Sequence, residues 1–461
     1  MWAWQSAAHI AEAVNAGRTT ALAVVEATLK RIETHDGLLN AFTALTPARA
    51  LARARAIDLS RAQGKIGGPL AGVPFAVKNL FDVAGLPTLA GSKINRTRPA
   101  AQRDSPLIAR LEAAGAVLVG TLNMGEYAYD FTGENVHYGA SCNPHATAHM
   151  AGGSSGGSGA SVAGGLVPLS LGSDTNGSIR VPSSFCGLFG LKPTYGRLSR
   201  AGSFPFVASL DHLGPLARST LDLALAYDAM QGYDASDPVC VDRPAEPALP
   251  GLERGSTGLR VGVAGGYFKR GMSAAAQEAM GRIAKALGAS GEIELPEAAR
   301  ARAAAYVVTA AEGATLHLDR LRRHSADFDP AVRDRLIAGA MLPAPLVVRA
   351  QKFRRWFRAR VLRLFESIDA ILAPATPFTA PRLGQQSVLL DGAALPLRPN
   401  IGIFTQPISF IGLPVVVVPV PLQPLPIGVQ IIAPPWREDV ALRIAHSLEK
   451  DGVALAPRPP K

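Results

Sequence analysis

The stretch Gly152-Gly153-Ser154-Ser155-Gly156-Gly157-Ser158-Gly159 runs, within a few residues, into the apolar Leu166-Val167-Pro168-Leu169. Seven Gly and four Ser fall between positions 151 and 165. A flexible linker would not lead straight into a buried run. The glycines therefore read as packed backbone, needed where chain or substrate must come close. A second polar stretch follows, Asp174-Thr175-Asn176-Gly177-Ser178-Ile179-Arg180. Two hydroxyls, Ser154 and Ser178, thus sit in Gly-rich backbone on either side of one apolar run. That arrangement suits serine-based acyl transfer without the usual histidine.

Outward from this centre, short continuous apolar runs alternate with helical patterns. Expected strands are 73–77, 116–120, 166–171, 259–263, 370–372, 415–420 and 427–432. Ser6 is placed to cap a helix ending near Gly17. Thr20 is placed to cap the next, which Gly37 should stop. Further helices are expected at 47–63, 106–114, 274–287 and 297–324. Strands apolar on both faces imply a sheet covered on both sides. Pro419 and Pro421 mark the strand at 415–420 as short or at an edge. The fold class is α/β: a single large domain with a mixed central β-sheet and helices on both faces.

The chain has 461 residues, 48% of them hydrophobic. Length alone would suggest about three domains, but no polar linker or repeat divides it. The Pro-rich stretch from Pro238 to Pro250 reads as a surface excursion. Three cysteines, Cys142, Cys186 and Cys240, are an odd count without a CxxC. That argues against a disulfide framework or zinc site and fits a reducing cytoplasm. The first residues lack a basic region followed by an apolar one, which reads as no signal peptide. No stretch is apolar for the ~18 residues of a membrane span.

The net charge of +11 serves solubility or attracts an anionic partner. Basic residues concentrate at Arg349, Lys352, Arg354, Arg355, Arg358, Arg360 and Arg363. Phe353, Trp356 and Phe357 interleave at i, i+3, i+4. This pattern predicts one helix with a buried aromatic face rather than a nucleic-acid surface. His137, His145 and His149 precede the Gly/Ser stretch and read as loop histidines in preference to a metal site.

Lys78 closes the apolar run Val73-Pro74-Phe75-Ala76-Val77. A charged, unpaired lysine there is costly, and burial would favour the neutral amine, a competent base. The other reading is a lysine that reaches water or pairs with Asp82. Gly177 permits an unusual turn, so the N–H groups of Thr175, Asn176, Gly177 and Ser178 can face one concavity and form an oxyanion hole. The other reading of Ser178 is a helix N-cap. A phosphate loop is disfavoured because the Lys-Ser/Thr ending is missing.

Taken jointly, these residues resemble the amidase signature family. Gly152 to Ala160, Asp174 to Pro182, and Cys186-Gly187-Leu188-Phe189-Gly190-Leu191-Lys192-Pro193-Thr194 carry the resemblance. Gly72 to Asn79, Gly412-Leu413-Pro414 and Pro426-Ile427-Gly428-Val429-Gln430 extend it over nearly the whole chain. The resemblance implies a Ser–Ser–Lys triad. Ser178 would be the nucleophile, Ser154 the bridging serine after a cis peptide, and Lys78 the base. It implies an amidohydrolase with no cofactor and no metal. It divides the chain into a helical part (1–65), a catalytic core (66–230), a Pro-rich loop (231–257) and the remaining sheet with substrate-side helices (258–461). Asp174 and Arg180 are expected to orient the loop, Ser155 to add a hydroxyl, and Cys186 to be core.

Within the family, the Asp-Thr-Asn-Gly-Ser string and Gly133 to Gly139 are most similar to the branch acting on urea-type acids such as 1-carboxybiuret. Asn176 departs from the glycine common in the tRNA-dependent transamidation enzymes. The expected substrate is therefore a small anionic amide. Arg354 and Arg437 are the expected readers of its carboxylate, with Tyr138 and Glu134 as further pocket candidates. A homo-oligomer is expected, with a small helical partner subunit; nucleic acid and membrane partners are not. The alternatives are a non-catalytic scaffold and a glutamine-hydrolysing transferase subunit.

Overall fold

The computed structural model describes residues 2–460. Its centre is an eleven-stranded mixed sheet. The strands are β1 (Phe42–Leu45), β2 (Pro74–Lys78), β3 (Val117–Leu122), β4 (Leu169–Asp174), β5 (Phe189–Lys192), β6 (His212–Ala217), β7 (Val261–Ala264), β8 (Glu292–Ile293), β9 (Ala370–Pro374), β10 (Val415–Val420) and β11 (Ile427–Ile432). Across the sheet they run β1-β3-β2-β4-β6-β5-β10-β11-β9-β7-β8. β2 is parallel to both β3 and β4. From β4 through β6, β5, β10 and β11 to β9 each neighbour is antiparallel. Every residue of β2, β3, β4, β10 and β11 is buried. Continuous apolar runs become central strands because helices cover the sheet. The helices Arg180–Cys186, Ala274–Ala286 and Glu438–Lys450 all pack against β11.

Most local expectations hold. Ser6 and Thr20 cap their helices through their side chains, and the helix over 47–62 ends where Gln63 follows. Three corrections are instructive. Gly37 does not stop its helix, which runs from Ala21 to Leu39 and closes on Asn40 in the left-handed conformation. Asn adopts that conformation readily, and an exposed Gly costs a helix only about 1 kcal/mol. The strand 415–420 is interior, not an edge. Its pairing with β5 stops at Val417 while pairing with β11 continues to Val420, so Pro419 lies where one side has no partner strand. Finally, Phe357 is buried as expected, but Trp356 is 40% exposed, so the aromatic face is only partly covered.

The Gly/Ser stretch holds a helix, Gly156–Ala163, that is buried throughout. Glycine is a poor helix former, and tertiary packing overrides that preference. A Cβ on Gly157 would lie 2.4 Å from the Ala41 carbonyl oxygen and 2.6 Å from the Asn123 nitrogen. Only hydrogen fits there. Residues 231–257 contain one short 3-10 helix, Leu249–Arg254, and otherwise no regular element. No described helix is long and apolar enough to cross a membrane.

Candidate active site

Because β2 and β4 are adjacent and parallel, the chain leaves both at the same edge of the sheet. Ligand sites in α/β sheets form outside such carboxyl ends. Lys78 is the last residue of β2. Ser173 and Asp174 end β4, and the loop 175–179 starts there. The Gly/Ser loop is brought over this edge by backbone bonds: Gly153 N–H donates to Phe131 O (2.8 Å), Gly125 N–H to Ser154 O (3.1 Å) and Gly157 N–H to Asn123 O (2.9 Å). The peptide bond between Gly153 and Ser154 is cis.

Lys78 is fully buried. Its Nζ lies 2.7 Å from Ser154 Oγ, 2.8 Å from Ser173 Oγ and 3.0 Å from Ser155 Oγ. Burial pulls its pKa down to about 7, partly offset by the fields of Asp174, Asp211 and Asp130. The alternative pairing with Asp82 does not form; that carboxylate accepts from the Thr88 hydroxyl. A second buried amine, Lys192, is also pulled to about 7 by burial. Its hydrogen bond goes to Pro193 O (3.1 Å) and to no serine, so position separates two lysines that burial alone does not.

The loop after β4 is fastened residue by residue. Thr175 Oγ1 donates to Asp211 Oδ1 (2.6 Å). Asn176 Nδ2 donates to Thr309 Oγ1 (2.9 Å) and its carbonyl accepts from Thr405 Oγ1 (2.6 Å). Gly177 has φ +145°, and a Cβ there would lie 2.3 Å from Thr405 Oγ1. Both facts require glycine. Asp174 Oδ2 takes the N–H groups of Ile179 and Arg180 (3.2 and 3.4 Å). Among the described residues the N–H groups of Thr175, Asn176, Gly177 and Ser178 have no acceptor. Four donors in a fixed turn can hold developing negative charge. Ser178 is not a cap: the following helix, Arg180–Cys186, has Ile179 at that position.

Asp174 and Arg180, both fully buried, form a forked ion pair (Nε to Oδ2 2.9 Å, Nη2 to Oδ1 3.0 Å). Burial pushes the Asp174 carboxyl up, but the Arg180 guanidinium outweighs this and holds it well below the usual range. Arg180 Nη1 also donates to Gln430 Oε1 (2.7 Å) and Thr405 O (3.1 Å), and Nη2 to Ser409 Oγ. The Gly428-Val429-Gln430 motif thus serves to anchor the loop from β11. Cys186 is core. Its Sγ contacts Ala151 O at 3.2 Å, and burial pushes the thiol well above its ordinary value.

Ser178, Thr175 and Asn176 line a cavity of about 300 Å³, closed by Asp130, Phe131, Tyr306, Arg335, Arg398 and Gln406 among others. Among the described residues the Ser178 side chain makes no hydrogen bond, and none joins it to Ser154. Arg354, Arg437 and Tyr138 are not among the lining residues. Arg354 donates to two backbone carbonyls, Phe410 and Ser209. Arg437 forms a forked pair with Asp439 (2.9 and 3.1 Å). Tyr138 accepts from Arg96 Nε (3.1 Å) through its hydroxyl. Glu134 pairs with Arg398 (2.9 Å). His137 bonds Glu126 (2.9 Å) and His145 bonds Cys186 O (3.0 Å). Among the described residues no group of three or more His, Cys, Asp or Glu is arranged to hold a metal.

Sequence reasoning missed Ser173, Thr405, Arg335 and Arg398. Ser173 left a weak signal, a hydroxyl beside Asp174 just ahead of the loop that carries Ser178, in a strand that also contains Ser170. Arg335 left none, being one arginine among many on helical stretches.

A family model described as Amidase matches residues 23–442. The chain is 54% identical over 449 residues to AtzE, a 1-carboxybiuret hydrolase subunit of Pseudomonas sp. (strain ADP), spanning 97% of this chain and 98% of the relative. It is 38% identical to the A-type subunit of the glutamyl-tRNA(Gln) amidotransferase of Azotobacter vinelandii (strain DJ / ATCC BAA-1303), over 96% of each. A solved structure described as an unexpected vestigial protein complex that reveals the evolutionary origins of an s-triazine catabolic enzyme superposes with TM-score 0.97. It is 54% identical and covers 98% of this chain and all of that one. A bacterial aryl acylamidase superposes with TM-score 0.88 at 27% identity, covering 97% of this chain and 96% of its own.

Proposed function

This chain belongs to the amidase signature family and is an amidohydrolase, and from that premise we propose that it cleaves a small anionic urea-type amide, 1-carboxybiuret or a close analogue, releasing ammonia. The observation that carries the chemistry is the buried Lys78 amine 2.7 Å from Ser154 Oγ, beside four backbone donors without acceptors. Neutral Lys78 takes the Ser154 proton as Ser154 takes that of Ser178. Ser178 Oγ then bonds to the amide carbon, and the N–H groups of residues 175–178 hold the oxyanion. The proton returns through Ser154 to the leaving nitrogen, and ammonia departs. Water attacks the resulting acyl-enzyme by the same relay. The Ser178–Ser154 link closes with substrate in place, as catalytic hydrogen bonds commonly do. The chain's own residues supply base, proton bridge and oxyanion site.

The identity of 54% to a 1-carboxybiuret hydrolase, against 38% to a transamidation enzyme, supports the urea-type substrate over glutamine. The first of these relatives is one subunit of its enzyme, and a similar structure is that of a complex. We propose that this chain likewise assembles, as a homo-oligomer with a small helical partner. The test is ammonia release from 1-carboxybiuret, biuret, glutamine and simple amides. Turnover of 1-carboxybiuret that disappears in Ser178→Ala is the expected result. Preferential turnover of glutamine would overturn the substrate reading.

A further inference from the structure

We infer that Gln406 reads a neutral carbonyl oxygen that simple amides lack, the second C=O of a urea-type chain; this rests on the reading of the substrate as urea-type. In such a chain the second carbonyl stands one N–H away from the scissile one. Taken out of water without a donor, its oxygen would be costly to bind. Gln406 is 1% exposed and lines the cavity that holds Ser178. Its carboxamide has one possible orientation. Arg302, on the helix Ala298–His324, donates from Nε to Gln406 Oε1 (3.0 Å). A guanidinium carries only donors, so the amide oxygen must take that side and the NH2 group the other. Arg302 is itself held, with Nη2 donating to Pro399 O (2.6 Å) and Asn400 Oδ1 (3.1 Å).

Among the described residues Gln406 Nε2 makes no hydrogen bond, and it is not sealed away from the cavity. Neighbouring neutral groups on the wall are engaged. The Tyr306 hydroxyl donates to Pro399 O (3.0 Å), that of Thr175 to Asp211 Oδ1 (2.6 Å), and Gln386 Nε2 to Gly384 O (2.9 Å). Gln406 is also fixed relative to the nucleophile. Thr405, just before it, donates from Oγ1 to Asn176 O (2.6 Å) and accepts at its carbonyl from Arg180 Nη1 (3.1 Å). The free NH2 group therefore keeps a set position against the turn that carries Ser178. A buried, oriented, unused donor discriminates strongly, because a substrate without the matching oxygen leaves it unpaired. Being uncharged, it suits a neutral carbonyl.

The test compares 1-carboxybiuret and biuret, which share the second carbonyl, with butyramide, which has none. Each is tried on the wild-type protein, Gln406→Leu, Gln406→Glu and Arg302→Met, as a substrate or, where turnover is too slow, as a competitive inhibitor. In Gln406→Leu, kcat/KM for both biuret-type compounds should fall about 10- to 100-fold, while butyramide moves less than about threefold. Gln406→Glu keeps the shape and the Arg302 bond but removes the donor, so it too should lose the preference for biuret over butyramide; it decides the matter should the Leu variant fail to fold. Arg302→Met frees the carboxamide to turn and should weaken the preference without abolishing it. A biuret-to-butyramide ratio unchanged in Gln406→Leu and Gln406→Glu overturns this inference alone. So does a loss confined to 1-carboxybiuret, which would assign Gln406 to the carboxylate. A wild-type protein that accepts butyramide as readily as biuret overturns the urea-type reading, and the inference with it.

Discussion

Lys78 Nζ lies 2.7 Å from Ser154 Oγ, and every side chain within its hydrogen-bonding reach is a hydroxyl: Ser154, Ser155 and Ser173. No carboxylate among the described residues pairs with this amine, so burial dominates its protonation and brings its pKa to about 7. The relay needs the neutral amine. Activity should therefore rise with pH through about 7 and fall about tenfold per pH unit below it. A pH profile of kcat/KM measures this. A profile flat between about pH 5.5 and 8 would exclude Lys78 as the titrating base.

Ser154 and Ser155 both touch Lys78, but Ser155 also donates to Ser173 O (3.2 Å) and takes the Ser173 N–H (3.3 Å). Ser155 is tied to β4 and Ser154 is not. Ser154→Ala should cost about 10²–10⁴ in kcat, with Ser155→Ala clearly milder. A fluorophosphonate probe should label the wild-type protein at Ser178 and leave Ser178→Ala unlabelled. Equal losses in Ser154→Ala and Ser155→Ala would count against Ser154 as the bridge.

The Asp174–Arg180 pair is buried on both sides and joins the loop to β11 and to residues 405–409. Arg180→Met strands Asp174 as an uncompensated buried charge. It should lower stability by about 3–5 kcal/mol, read by urea denaturation. A loss under about 1 kcal/mol would show that the pair is not what anchors the loop.

Gly177→Ala places a methyl where Thr405 Oγ1 stands. The turn must shift, and with it the four N–H groups. A displacement of that size costs about 10² in rate. The check is kcat at saturating substrate; wild-type kcat would mean that the turn does not hold the oxyanion.

Arg354 holds the Phe410 and Ser209 carbonyls. Arg354→Ala should cost about 2–3 kcal/mol of stability through those bonds, seen as a lower Tm. A KM effect confined to acidic substrates, with Tm unchanged, would return Arg354 to the role expected from sequence.

Local sequence determined much of this molecule. Caps at Ser6 and Thr20, strands at 415–420 and 427–432, and the packed character of the Gly/Ser stretch follow from short-range rules: side-chain caps, apolar runs, missing Cβ atoms. The candidates Lys78, Ser154 and Ser178 were legible because polar groups in buried or Gly-rich backbone stand out against their neighbours. Tertiary structure decided which groups meet. It chose Lys78 over Lys192, added Ser173 from the adjacent parallel strand, and put Arg335 rather than Arg354 on the cavity wall. Those choices depend on strand order and helix rotation over long separations, and an arginine on an amphipathic helix carries no local mark of what it will face. Even Gly37 and Pro419 show the limit, since the cost of each was set by what lay beside it in space.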